Sequence, residues 1–440
     1  MKTMAPILLA CYMSGASAAA AAGGMAARCT RAFVRPLGSN AAATRRAASH
    51  QHTRHMMMAA APSVAEAKDL DARVHTGHPK NNVPVALSEK IGRELHRNPS
   101  HPLGIIKDRI EGYFRDRAAT TGVAVEIVDN FFPVVPIVNN FDDLLIPPDH
   151  VSRSPIDTYY VDDKQVLRTH TSAHQSTMLG KGHMAFLVTG DVYRRDEIDR
   201  THYPVFHQME GVRVFPGLLE KSGSREEGMK QVEKDLKDAL EGMVMVLFGD
   251  VERRWVDTYF PFTDPSFELE IFYNDEWLEV LGCGVMQQEI VRRAGKGETL
   301  GWAFGLGLER LAMVLFQIPD IRLFWSTDKR FTDQFSAGKI SKFSPFSKYP
   351  PCYKDVSFWV DPTAGFNNND FFEIVRGVGG DLVESVVLVD EFVHPKTGRG
   401  SKCFRVNYRS MERSLTNEEI DVLQEEVRTQ MAEALKVELR

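Results

Sequence analysis

Arg310 ends the run Trp302-Ala303-Phe304-Gly305-Leu306-Gly307-Leu308-Glu309-Arg310, in which an apolar strand meets two glycines and then opens a helix. Gly305 and Gly307 let the backbone turn sharply and let a ligand approach without a Cβ in the way. A helix start suits a polyanion, because backbone N–H groups point outward there. The pattern is weak alone and gains weight beside two others. One is Val192-Tyr193-Arg194-Arg195-Asp196, at the end of a strand preceded by Gly190; the other is Val205-Phe206-His207-Gln208-Met209-Glu210. In the latter, period-2 spacing sends Gln208 and Glu210 to one face. In Phe260-Pro261-Phe262, two aromatics flank a proline, and with Gly282 and Gly284 they make a flat apolar slot for a phenyl ring. His170 and His174 stand at i, i+4, a spacing that could hold a metal, but no third ligand follows and Thr171-Ser172 favours a turn.

Positioning these groups takes a sizeable core. The chain has 440 residues, 43% hydrophobic and 25% charged, enough for two or three globular domains. A formal charge of −6 argues against a generic nucleic-acid coat, so RNA contacts must come from local patches. Cys283, Cys352 and Cys403 are scattered without metal spacing, which suits a reducing compartment. No stretch of the body is long and apolar enough to span a bilayer.

Residues 1–65 contain no Asp or Glu and six arginines among many alanines, the composition of a transit peptide. The apolar run 4–13 and the small-residue site Ala16-Ser17-Ala18 add a signal-like start. A leader of residues 1–80 is therefore expected. A bipartite plastid address, a mitochondrial presequence and a tail without an address stay open.

Amphipathic helices are expected at 88–97 and 103–117, the latter led by Pro102, then an apolar Pro-broken run at 123–138. Strands are expected at 183–215 around Arg194, an amphipathic helix at 225–248, strands at 254–286, and a closing strand and helix at 302–316. Ser, Lys and Pro enrichment marks 326–345 as a linker. From 346 to 440 the order is βαββαβ, a ferredoxin-like arrangement, with Thr416 and Glu419 as a capping box.

The three runs around Arg194, Phe206 and Arg310 resemble the class II aminoacyl-tRNA synthetase active site, and specifically the single-chain organellar phenylalanyl-tRNA synthetases. The resemblance covers residues 85–440. It implies an α+β fold: a class II antiparallel-sheet catalytic domain (85–325) and a C-terminal ferredoxin-like anticodon-binding domain (346–440). It implies ATP and Mg²⁺, phenylalanine and tRNA(Phe) as partners, no membrane, and action as a monomer. By the resemblance, Arg194 holds the α-phosphate, Arg310 binds the γ-phosphate and covers the adenine, and Phe206 stacks on its other face. Asp196 stands where the class carries Glu beside the adenine amine, and Glu279 reaches toward ATP through Mg²⁺. Gln208 and Glu210 hold the substrate ammonium. Ser172, Ala173, His174 and Gln175 line the amino-acid site, with Thr201, His202, Tyr203 and Met209 beside it. Phe260, Phe262, Gly282, Gly284, Ala303 and Phe304 form the ring pocket.

Along residues 402–409, Phe404, Val406 and Tyr408 point one way and Arg405, Asn407 and Arg409 the other. An open sheet face carrying those three, with Trp359, would contact the anticodon by phosphate pairing and stacking. Two rivals stay open: a regulatory RNA-binding paralogue without activation, and the isolated catalytic subunit of a two-chain enzyme. The attached C-terminal domain speaks against the second.

Overall fold

The computed structural model describes residues 73–346, 349–360 and 365–440. The expected leader lies outside them as far as residue 72. Val74, within its expected bounds, is fully buried in the main core, and its carbonyl accepts from Asn81 Nδ2 at 2.6 Å, so packed chain begins before residue 80.

The catalytic unit is built on a seven-stranded sheet. Its strands are β1 (Glu126–Val128), β4 (Ala185–Tyr193), β5 (Val205–Phe215), β6 (Arg253–Phe260), β7 (Thr263–Tyr273), β8 (Glu276–Met286) and β9 (Leu300–Gly307). Their order is β1-β4-β5-β9-β8-β7-β6. Every pairing is antiparallel except β1 with β4. Two short strands, β2 (Val134–Pro136) and β3 (Gln165–Leu167), pair beside it.

Two long helices back this sheet. Helix α1 (Pro102–Thr121) starts at His101, whose ring accepts from the Leu103 N–H, and stops at Gly122 with φ 70°. Helix α2 (Arg225–Phe248) is capped by Ser224 and buries Val232, Leu236, Leu240, Met243 and Leu247 along one stripe, as its periodicity predicts. The helix expected over 88–97 is instead a single turn at Val85–Ser88 and a tight turn at Leu95–Arg97, because Gly92 (φ 79°) and Glu94 (φ 46°) break it.

Helix α3 (Leu308–Phe316) follows β9 directly. The segment expected as a linker packs down: Phe331 is fully buried and Phe335 and Phe343 join the catalytic core. Its polar composition conceals those aromatic anchors.

The second unit carries β10 (Cys352–Val360), α4 (Asn368–Gly379), β11 (Val383–Val393), β12 (Gly400–Tyr408), α5 (Asn417–Leu435) and β13 (Glu438–Leu439), with sheet order β11-β12-β10-β13. This is the ferredoxin-like βαββαβ order, with the Thr416–Glu419 capping box formed in both directions. Phe358, Phe371, Phe404, Val406, Ile420 and Val427 fill its core. β11 slips register against β12 between Val383 and Ser385 and again between Leu388 and Asp390. At the first slip the Glu384 carboxylate meets Arg200 of the catalytic unit (3.2 Å) and Arg409 of its own unit (3.1 Å). Tyr159–Glu373 (2.8 Å), Tyr203–Asp381 (2.6 Å) and Arg195–Asp370 (2.9 Å) complete a polar seam between the units.

Candidate active site

Register builds the site. Glu210 on β5 lies opposite Gly305 on β9, which lies opposite Gly282 on β8, so a carboxylate stands beside two positions without side chains. Gln208 lies two residues on, opposite Gly307 and Gly190. Gly190 also admits the Arg168 guanidinium, which a Cβ there would meet at 2.2 Å.

Glu210 is buried and accepts from Gln175 Nε2. Burial pushes its carboxyl up to about 7, against the opposing pull of hydrogen bonds from Ser172 and Gln175. Glu210 Oε2, Gln175 Oε1 and Gln208 Nε2 have no hydrogen-bond partner among the described residues. Of these, Glu210 and Gln175 line one small cavity, where two buried acceptors match an ammonium; Gln208 is not among the lining residues of that cavity.

That cavity is lined by Ser172, Gln175, Glu210, Phe262, Ala303 and Gly305, with Gly282 and Phe304. Phe260 stacks on Phe262 at 5.5 Å, nearly parallel, as a ring behind the wall. The Phe304 ring turns to the opposite face, over Gly211 and against Phe114 at 5.5 Å, leaving its backbone at the cavity. Gly284 is not in the wall; a Cβ there would lie 2.4 Å from the Pro265 carbonyl oxygen, so it serves close packing of β7 on β8.

A second, larger cavity adjoins the first along β8 and β9. Phe206, Glu279, Arg310, Thr201, His202 and Glu309 are among its lining residues. Arg310 Nη1 lies 3.3 Å from Glu279 Oε2, and the Arg194 guanidinium lies 5.2 Å from the Phe206 ring centroid. Burial raises the Glu279 carboxyl to about 7; Arg310 opposes this, and Glu268 and Glu270 add to it. A phosphate chain and a flat base fit such a cleft, with the Arg310 guanidinium and an aromatic ring in its wall; Arg194 is not among its lining residues, and its Nε donates to the Thr169 carbonyl at 2.9 Å.

Several expected residues take other places. Met209 alternates away from Gln208 and Glu210 into the core. Thr201 and His202 line the larger cavity, while Tyr203 leaves both cavities to donate to Asp381 in the seam. The His174 ring lies 2.9 Å from Arg168 Nη1 and stacks on Phe131 at 4.4 Å, and burial with Arg168 nearby lowers it to about 3. It buttresses the wall from behind, as does Ala173, which packs with Phe141 and Val166. Asp196 is outside the larger cavity, with its carbonyl receiving Arg376 Nη2 at 2.8 Å. His170, which its spacing from His174 marks only as a metal-ligand candidate, has a different place. Its ring is buried near Arg194, and desolvation and that charge hold it neutral, at about 3; its place directly before Thr171-Ser172 was the available signal.

On the C-terminal sheet, Arg405 pairs with Asp355 at 2.8 Å and stacks on Tyr353 at 4.4 Å, and Asn407 donates to Ser385 at 2.8 Å. Trp359 shares that face and has the Arg399 and Arg440 guanidinium groups 5.3 Å from its ring. Arg409 departs from the expectation. It lies past the end of β12, and Glu384 draws it into the seam.

A glycine-floored antiparallel sheet with an arginine at the start of the following helix, joined to a ferredoxin-like unit, is the architecture of a class II tRNA synthetase. The family model "tRNA synthetases class II core domain (F)" matches residues 86–335, and "Ferredoxin-fold anticodon binding domain" matches residues 347–440. Within that class the chain belongs to the phenylalanine–tRNA ligase family. It is similar to the chloroplastic/mitochondrial phenylalanine–tRNA ligase of Arabidopsis thaliana, at 56% identity covering 83% of this chain and 84% of that protein. The mitochondrial enzymes of Dictyostelium discoideum (47%, covering 82% and 90%) and Mus musculus (50%, covering 82% and 86%) are similar over comparable spans.

Proposed function

We infer that this chain ligates phenylalanine to tRNA, activating the amino acid with ATP first. The phenylalanine carboxylate attacks the α-phosphorus, the bond to the bridging oxygen breaks, and pyrophosphate leaves. A terminal ribose hydroxyl of tRNA then attacks the acyl carbon, losing its proton as AMP departs. One observation carries this reading: Glu210 and Gln175 leave unmatched acceptors in a cavity with an apolar wall, beside a cleft lined by Arg310. Ammonium, ring and phosphates each meet a complementary surface in adjoining positions.

Within that activity, Glu210 and Gln175 take the ammonium, and Phe262 and Ala303 bound the ring. Phe206 and Arg310 hold the adenine, and Arg194 with Arg310 takes the phosphates as charge shifts toward pyrophosphate. Mg²⁺ fits the donor set as an ion that binds through one carboxylate, Glu279, plus substrate phosphates. Among the described residues no group of three His, Cys, Asp or Glu side chains could hold a metal. Bound there, Mg²⁺ would supply charge to the leaving pyrophosphate. Arg405 and Asn407 contact the anticodon arm of tRNA, the chain acts as a monomer, and residues before the packed core direct it to an organelle.

Phenylalanine-dependent exchange of labelled pyrophosphate into ATP tests the first step, and charging of organellar tRNA tests the second. A folded chain without exchange would sink the activation chemistry and leave the RNA-binding alternative.

A further inference from the structure

Glu309 precedes Arg310 and lines the same cavity, yet both of its carboxylate oxygens are directed to His207. The β5–β9 ladder ends at Gln208 opposite Gly307, where β9 gives way to α3. Beyond that point the His207 N–H has no strand to meet. Glu309 stands in for the missing strand: Oε2 accepts the His207 N–H at 2.7 Å, and Oε1 lies 2.7 Å from His207 Nδ1. Both side chains are buried, 1% exposed for His207 and 3% for Glu309. On its far side His207 is held by the rings of Trp325 (5.7 Å) and His96 (5.1 Å).

His207 lies between Phe206 and Gln208, and Glu309 lies beside Arg310. One carboxylate thus ties the strand that carries the stacking ring to the helix that carries the phosphate-binding arginine. We propose that Glu309 is a positioning residue for ATP, setting the separation of Phe206 and Arg310 across the larger cavity. The proposal rests on that cavity being the nucleotide site. A two-oxygen acceptor suits the task, because two donors, one backbone and one ring, must be met from a single side chain.

The test uses the full chain and pyrophosphate exchange, with ATP and phenylalanine varied separately. Glu309→Ala is expected to lower kcat/KM for ATP by about 10²-fold, the typical cost of misplacing a reacting group by roughly 1 Å, while KM for phenylalanine stays unchanged. Glu309→Gln, which offers an oxygen to the N–H and an amide donor to the other ring tautomer, is expected to recover most of that loss. Arg310→Ala runs in parallel: if it keeps its exchange, the nucleotide assignment itself fails, independently of Glu309. The proposal is overturned by a folded Glu309→Ala protein with unchanged ATP dependence. It is also overturned if both KM values rise together and Glu309→Gln rescues neither. Should Glu309→Ala not fold, Glu309→Asp carries the same test, because its shorter arm cannot make both 2.7 Å contacts from the same backbone.

Discussion

The catalytic sheet and the C-terminal sheet both present polar side chains on one face, but in opposite conditions. Around Glu210 the groups are buried and partly unmatched, waiting for a small ligand of defined shape. Around Arg405 they are half-buried, open to solvent and already matched: Arg405 by Asp355 and Asn407 by Ser385. A buried unmatched group gains its full partner on binding, whereas a solvent-open matched group only exchanges one partner for another. The first face should therefore respond sharply to single substitutions and the second in small graded steps.

The largest expected effect is at the charged end of the catalytic cleft. Arg310→Ala should lower exchange by about 10²–10³-fold with the fold retained, the usual cost of removing a donor to developing charge. Near-normal exchange in the folded variant would end the comparison at its first term.

Glu210→Gln separates binding from stability. It should raise KM for phenylalanine strongly while raising the unfolding temperature at pH 8. The sign follows from the raised carboxyl. Folding favours the neutral acid, so this contribution is fully present below the ordinary value of 4.5 and is lost as pH rises through about 7. The shift corresponds to roughly 3 kcal/mol at high pH, at about 1.4 kcal/mol per unit. Calorimetry at pH 5 and pH 8 should show the gap between the two proteins widening with pH; a constant gap would mean Glu210 is not under that strain. In the unsubstituted chain, KM for phenylalanine should rise as pH falls below about 7, since only the carboxylate pairs with ammonium.

Ala303 offers a finer probe of the buried face. Ala303→Gly removes one methyl from the ring wall and should shift the specificity ratio toward para-chlorophenylalanine by about 10–200-fold, the range for one methylene-sized change in an apolar pocket. An unchanged ratio with phenylalanine activation intact would take Ala303 out of the ring pocket.

The smallest effect belongs to the open sheet. Arg405→Ala should weaken tRNA binding uniformly and reduce the slope of log affinity against log salt by about 1. Arg409→Ala should leave that slope alone, because Glu384 already occupies it within the seam. Equal effects from the two would return Arg409 to the RNA face.

Legibility in the sequence followed the range of the interaction. Helix α2 is readable because the spacing of Val232, Leu236 and Leu240 is a local signal. The βαββαβ order was readable for the same reason, as was the facing of Gln208 with Glu210. What failed was set by distant partners. Met209 sits within the 205–210 run and Tyr203 just before it, but the core claims the first and Asp381 the second. His207 and Glu309 are 102 residues apart, and no local pattern announces that their strand and helix will touch. Phe331, Phe335 and Phe343 were masked by the polar residues around them, so a packed segment passed for a linker.

The second register slip in β11 bears on how the chain behaves when concentrated. β11 is an edge strand of its sheet; its Val386 N–H donates to the Ile198 carbonyl at 2.9 Å, and beyond that point Val387, Leu388 and Val389 are exposed, an apolar run that a passing strand could extend. The slip at Leu388 and Asp390 interrupts the row of backbone donors and acceptors at that point, and Asp390 and Glu391 follow with exposed charge. A neighbouring molecule therefore finds no straight template there, and this edge resists growth into filaments while keeping its apolar residues.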